Sequence, residues 1–216
     1  MLIMRQSALG KIHKIFLYSV NAFKYKEGII AIEKIISHDK RFYENVKLLY
    51  DLGLLYDHYA MQQKNNLLRL RYENKALVLY QKAILLDKEA PIAWWSIGRI
   101  WWHRKNKKSI FFAKKAYNLI KKTRSSERGL YAQAIGLCYE SIKEYKKAEY
   151  WLKKGVSLSK DLGVYVNLLQ FYQLHKKTLP HSYLERAQML FKKEKSIFKK
   201  TPWGEKIKTL IESFEK

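Results

Sequence analysis

The chain has 216 residues and a formal charge of +24, with 48% hydrophobic residues, 14% aromatics and one cysteine, Cys138. That hydrophobic share excludes a disordered tail, and the lone cysteine excludes an internal disulfide and fits a reducing compartment. Only nine glycines and three prolines argue against a turn-rich β fold and for long helices.

The N-terminal stretch MLIMRQSALGKIHKIFLYSV does not read as a signal peptide, because Lys11 and Lys14 interrupt it. The longest run free of Lys, Arg, Asp and Glu covers residues 162–175, short of the roughly 20 residues a membrane-spanning helix needs. A soluble, cytoplasmic protein is the expectation. Residues 1–40 read as a degenerate helix pair, with Gly28, Ile32 and Ile35 in small or apolar slots of its second helix.

A regular spacing then begins. In residues 43–88, Leu49-x-x-Leu52-Gly53-x-x-Tyr56 precedes Ala76, Tyr80 and Ala83. In 91–123, Trp94-x-x-Ile97-Gly98-x-x-Trp101 precedes Ser109, Ala113 and Ala116. In 129–160, Ala132-x-x-Ile135-Gly136-x-x-Tyr139 precedes Ala148, Leu152 and Gly155. Residues 163–199 form a degenerate pair without the glycine. Thr201 and Pro202 then make a helix-start signal, with Trp203, Ile207, Leu210, Ile211 and Phe214 on one face of a closing helix, 202–216.

This recurrence resembles the tetratricopeptide repeat (TPR) family, whose pattern is W-x2-L-G-x2-Y, then A-x3-F, then P. The resemblance implies an all-α fold: a right-handed α-solenoid of about four to five TPR-like helix hairpins plus a C-terminal capping helix, in one domain over 1–216. Two departures stand out. The closing proline is mostly missing, Pro91 coming nearest. Between Tyr56 and Ala76 lie about eleven residues more than the family spacing, so residues 57–72 either lengthen the helices or form a loop.

The resemblance also implies a non-enzymatic interaction scaffold whose first helices line a concave groove for a peptide or helix of a protein partner. Trp94 and Trp101 hold signature places and are expected in the core. Trp95, Arg99 and Trp102 fall one step round the helix, on the groove side, where Arg99 could meet the indoles by cation–π contact or present its guanidinium to a ligand. The same phase adds Tyr50, Asp57 and His58, then His103, then Gln133, Leu137 and Glu140, and finally Asn167, Phe171 and His175. His58, His103 and His175 hold equivalent places, but helices packed roughly 8–10 Å apart do not bring them to one ion about 2 Å away, so no metal is expected. The family's clamp for a C-terminal carboxylate is absent, since its places hold Tyr50, Leu54, Ser96, Leu130 and Ala134.

Lysine pairs recur every seven residues: Lys107 and Lys108, Lys114 and Lys115, Lys121 and Lys122, and again Lys146 and Lys147, Lys153 and Lys154. Each series forms a basic stripe on a second helix. The stripe leaves two alternatives open, a nucleic-acid interface and attachment to an anionic membrane surface, beside a solvated face that reflects a lysine-rich composition. The sequence has no H-E-x-x-H, G-x-S-x-G, phosphate-cradling glycine loop or paired-cysteine site, so neither catalysis, a cofactor nor a small-molecule substrate is expected.

Overall fold

Two windows of the chain, residues 2–121 and 127–215, are described by the computed structural model, and among them there is no strand. Lys122, one of the expected stripe lysines, lies outside the described residues. The chain divides into two units, Met1–Leu119 and Ile120–Lys216.

The first unit holds α1 (Leu2–Asn21), α2 (Tyr25–Ile36), a 3-10 turn (Lys40–Glu44), α3 (Val46–Met61), α4 (Asn66–Leu86), α5 (Pro91–His103) and most of α6 (Lys108–Lys121). Asparagines start α3 and α4. Asn45 accepts from the Leu48 amide at 2.9 Å and Asn65 from the Leu68 amide at 3.0 Å, satisfying donors that the first helical turn leaves free. The extra residues after Tyr56 are helical: α3 runs 16 residues and α4 runs 21, joined by a short turn. The core is built from Ile12, Ile32, Ile36, Leu49, Leu52, Leu55, Tyr80 and Ile100.

Gly53 shows why the signature demands a glycine. A Cβ there would lie 2.6 Å from Cε1 of Tyr80, and that ring is fully buried. The two helices touch where a side chain cannot fit. Gly136 is similar in the second unit, with Leu152 Cγ 2.8 Å from the missing Cβ.

The second unit holds α7 (Arg128–Ser141), α8 (Tyr145–Leu158), α9 (Leu162–Leu174), α10 (His181–Lys193), the short α11 (Ser196–Lys199) and α12 (Pro202–Glu212). Helices α7 and α8 pair closely, and α9 packs on α7, α8, α10 and α12. Thr201 caps α12 by accepting from the Gly204 amide at 3.1 Å, and Ile207, Leu210 and Ile211 are buried. Trp203 departs from the expected apolar face and is 49% exposed. The backbone of α11 crosses over Gly204, where a Cβ would lie 2.3 Å from the Phe198 carbonyl. That close approach fills the space a tryptophan on this face requires.

Four hairpins share one turn. Phe23, Lys105, Lys143 and Lys176 each adopt positive φ, between 49° and 65°. In each case the next amide donates to the carbonyl five residues back: Lys24 to Ser19, Asn106 to Trp101, Glu144 to Tyr139 and Lys177 to Tyr172, at 2.9–3.0 Å. This closes the helix in the manner of a Schellman turn, with a side chain where glycine is usual. The α3–α4 hairpin lacks the turn: Gln63, the residue after its cap Gln62, does not adopt positive φ.

Candidate protein-interaction groove

The first helices of the first unit bring several expected groove residues together. Arg99 of α5 donates from Nε and Nη2 to Oδ2 of Asp57 on α3, at 3.0 and 2.5 Å. Asp57 is buried, and Tyr50 and Tyr80 lie beside the pair with ring centroids 6.1 Å apart. Burial works against the Arg99 charge, but Asp57 more than offsets it and holds the guanidinium protonated. Arg99 therefore directs its guanidinium to Asp57. Asp57 itself is a buried tie between α3 and α5, not a lining residue.

His58 lies half-buried on the ring of Tyr25, centroids 5.1 Å apart. Burial lowers its pKa, and the Arg99 charge lowers it further, so it is neutral at neutral pH. His103 sits at the end of α5, its ring 4.7 Å from that of Trp102. Trp95 and Trp102 are each half-buried, and the Trp95 indole lies back against Gly98. With Asp57 cancelling Arg99, this face of the first unit is aromatic and close to neutral.

Trp94 and Trp101 differ from expectation. Both are only half-buried, and α5 buries Ala93, Ser96, Ile97, Gly98 and Ile100 instead. Trp94 donates from Nε1 to the Lys88 carbonyl at 2.9 Å and lies 5.4 Å below Lys115. Trp101 lies beneath Arg104 and Lys108, at 5.0 and 4.8 Å. They line the flank toward α6, where lysines from the basic stripe cap them. Trp101 still packs against the edge of the hydrophobic core.

In the second unit the expected residues separate into two kinds. Glu140 and His175 meet, Oε1 to Nε2 at 3.0 Å, and the Tyr145 ring lies 4.3 Å from the imidazole. Leu137 and Asn167 are half-buried, and Asn167 donates to the Gly163 carbonyl at 3.0 Å. Gln133 and Phe171 are buried and cannot line a groove. For Phe171 the reason is that α9 is covered by four neighbouring helices, so its buried residues run from Leu162 to Tyr172 with few breaks; Gln133, on α7, reaches the Gly163 carbonyl at 3.5 Å.

The lysine stripes are largely solvent-facing, yet many members are engaged. Lys147 pairs with Glu144 at 2.5 Å, Lys153 with Glu149 at 2.7 Å, and Lys154 lies 4.7 Å over Trp151. Lys107, Lys121 and Lys146 are exposed, and Lys114 is half-buried. Residues not expected from sequence to line the groove also matter here. Tyr80 and Ser96 surround the Asp57–Arg99 pair, and Tyr25 and Tyr145 hold the histidines. Their only signal was a polar atom on a core-phased position.

Comparison with known proteins places this fold. No family model and no curated protein matches the sequence. Among solved structures the chain is similar to PilF of Pseudomonas aeruginosa, with TM-score 0.60, 13% identity, and 87% of this chain and 75% of that one covered. It is also similar to TTC0263, a thermophilic TPR protein of Thermus thermophilus, with TM-score 0.57, 16% identity and coverage of 97% and 98%. MamA is similar at TM-score 0.55, 20% identity and coverage of 82% and 94%. The fold is therefore the all-α fold of TPR solenoid proteins, shared at a level of identity that speaks to fold alone.

Proposed function

We propose that this chain is a non-enzymatic interaction scaffold that holds an apolar segment of a partner protein on the α3–α5 face of its first unit. The carrying observation is Trp95 and Trp102, two half-exposed indoles on one first helix beside a charge pair that neutralises itself. Indoles held at a rigid, neutral face are the side chains that dominate binding when they anchor a partner. The TPR-type fold supports the reading, because stacked helix pairs present such faces without moving parts. The absence of catalytic motifs supports it as well.

The test is affinity capture from the native cell, with nuclease treatment as a control. Replacing Trp95 and Trp102 together by Ala is expected to weaken partner capture at least tenfold while the circular-dichroism spectrum stays helical. Capture that survives the double replacement overturns the reading. Capture that disappears on nuclease treatment moves the function to nucleic acid and the lysine stripes.

A further inference from the structure

Away from that face, a cleft of about 380 Å³ opens between α2 and α4, within the size range of ligand-binding pockets. Its floor is apolar, made by Leu52 and Tyr56 of α3 and Leu79 of α4, all buried. Tyr43 of the 3-10 turn lines it as well. On the α4 side stand Val78, 63% exposed, and the exposed cations Arg71 and Lys75.

Two cations, Arg71 and Lys75, face one carboxylate, Glu33, among the groups that line it. Tyr56 donates to Glu33, the single carboxylate of the lining, and Lys75 donates to the Tyr56 hydroxyl at 3.3 Å. Lys75 also covers the Tyr56 and Tyr72 rings, at 4.9 and 5.8 Å, and Lys82 covers Tyr43 at 5.1 Å. The aromatic faces that could cage a cationic ligand are thus already taken by the chain's own ammonium groups. Arg71 pairs with no acid among the described residues. Along α4 the outward positions 67, 71, 74, 78, 82 and 85 recur at helical spacing, placing exposed Leu67 and Leu85 on the same face as Arg71 and Lys82. The one acid of α4, Glu73, is buried and held by Arg104 at 2.7 Å.

We propose that this cleft binds an anionic amphiphile, with the apolar chain on the Leu52–Tyr56–Leu79 floor and its anionic end at Arg71 and Lys75. The chemistry is shared by a free alkyl carboxylate and by an anionic lipid in a bilayer. The site is independent of the tryptophan face, and neither requires the other.

Calorimetric titration with decanoate below its micelle-forming concentration tests it, alongside methyl NMR shifts. Saturable one-to-one binding is expected, with shifts at the Leu52, Val78 and Leu79 methyls. Decyltrimethylammonium, which has the same chain and the opposite charge, is expected to bind at least tenfold more weakly. Arg71→Glu, at an exposed position that leaves the core untouched, is expected to weaken decanoate at least tenfold. Sedimentation with phosphatidylcholine vesicles, with and without phosphatidylglycerol, distinguishes the sources. Arg71-dependent binding to the anionic vesicles assigns a bilayer lipid, and decanoate binding without vesicle binding assigns a free amphiphile. Non-saturating decanoate, equal binding of the cation, shifts elsewhere, or an unchanged Arg71→Glu overturns the proposal.

Discussion

The two units bridge their first helices at matching places by different physics. In the first, an acid four residues beyond the signature glycine, Asp57 after Gly53, reaches Arg99 of the next first helix. In the second, Glu140 after Gly136 reaches His175 in the same way. The side chain of Asp57 is 3% exposed and that of Glu140 is 21% exposed. Arginine keeps its charge at any working pH, whereas histidine carries one only when protonated. The first bridge is thus a permanent ion pair on a dry acid and the second a conditional pair on a wetter acid, while the bases are alike, Arg99 being 23% and His175 17% exposed. Removing one partner of a dry pair strands a charge, and removing one partner of a wet pair does not.

The largest expected effect breaks this comparison directly. Asp57→Ala leaves the Arg99 guanidinium buried without a counter-charge and is expected to destabilise the chain by about 3–5 kcal/mol. Glu140→Ala is expected to cost about 1 kcal/mol or less at neutral pH. Urea unfolding of the two variants measures the gap. Replacing Asp57 and Arg99 together, by Leu and Met, is expected to recover most of the loss, because no charge is then stranded. Equal losses for the two single variants would show that the bridges differ in burial but not in energetics.

A second carboxylate sharpens the contrast from the other side. The second unit concentrates its electrostatics at Glu149, which accepts from Lys153 and Tyr172 at 2.7 Å each and also from Lys177. Burial alone raises its pKa, but these three hydrogen bonds overcome that and bring it down to about 2. A carboxylate depressed in the folded state stabilises fully above its unfolded value, near 4.5, and that contribution is lost as pH falls through about 2. With solvent screening taken into account, Glu149→Gln is therefore expected to cost on the order of 2 kcal/mol at pH 7. The difference from the parent chain should shrink as the pH is lowered from 4.5 toward 2. A difference independent of pH would assign the loss to packing.

What was legible in the sequence follows from which forces are local. The hairpins were legible because close helix approach requires a glycine, and Gly53, Gly98 and Gly136 mark it at fixed spacing. The face of each residue was less legible. Helical phase placed Phe171 on a groove, but α9 packs on α7, α8, α10 and α12 and Phe171 is buried, and no periodicity within α9 reveals its neighbours. Phase also placed Trp94 and Trp101 inside, where the signature expects an aromatic. Lysines of α6 cap them at the flank instead. Asp57 and Arg99 were found as residues but misread as lining. Their pairing joins positions 42 apart in the chain, a distance at which sequence pattern is silent.

The smallest expected effect concerns the turn that both units share. Lys105 in the first unit and Lys143 in the second hold positive φ, at 49° and 65°, where a side chain is strained by about 1 kcal/mol relative to glycine. The turn's hydrogen bonds, from the Asn106 and Glu144 amides, are made by the backbone and survive substitution. Lys105→Gly and Lys143→Gly relieve the strain, while glycine's added freedom in the unfolded chain takes some of the gain back. Each is thus expected to stabilise by about 0.5 kcal/mol, read as a small rise in thermal midpoint. At Gln63, the residue in the corresponding place one beyond the cap of α3, φ is not positive. Glycine there relieves nothing, and Gln63→Gly is expected to destabilise. Opposite signs at Lys143 and Gln63 are what a strained, shared turn requires; the same sign at both would mean that the lysines carry no strain.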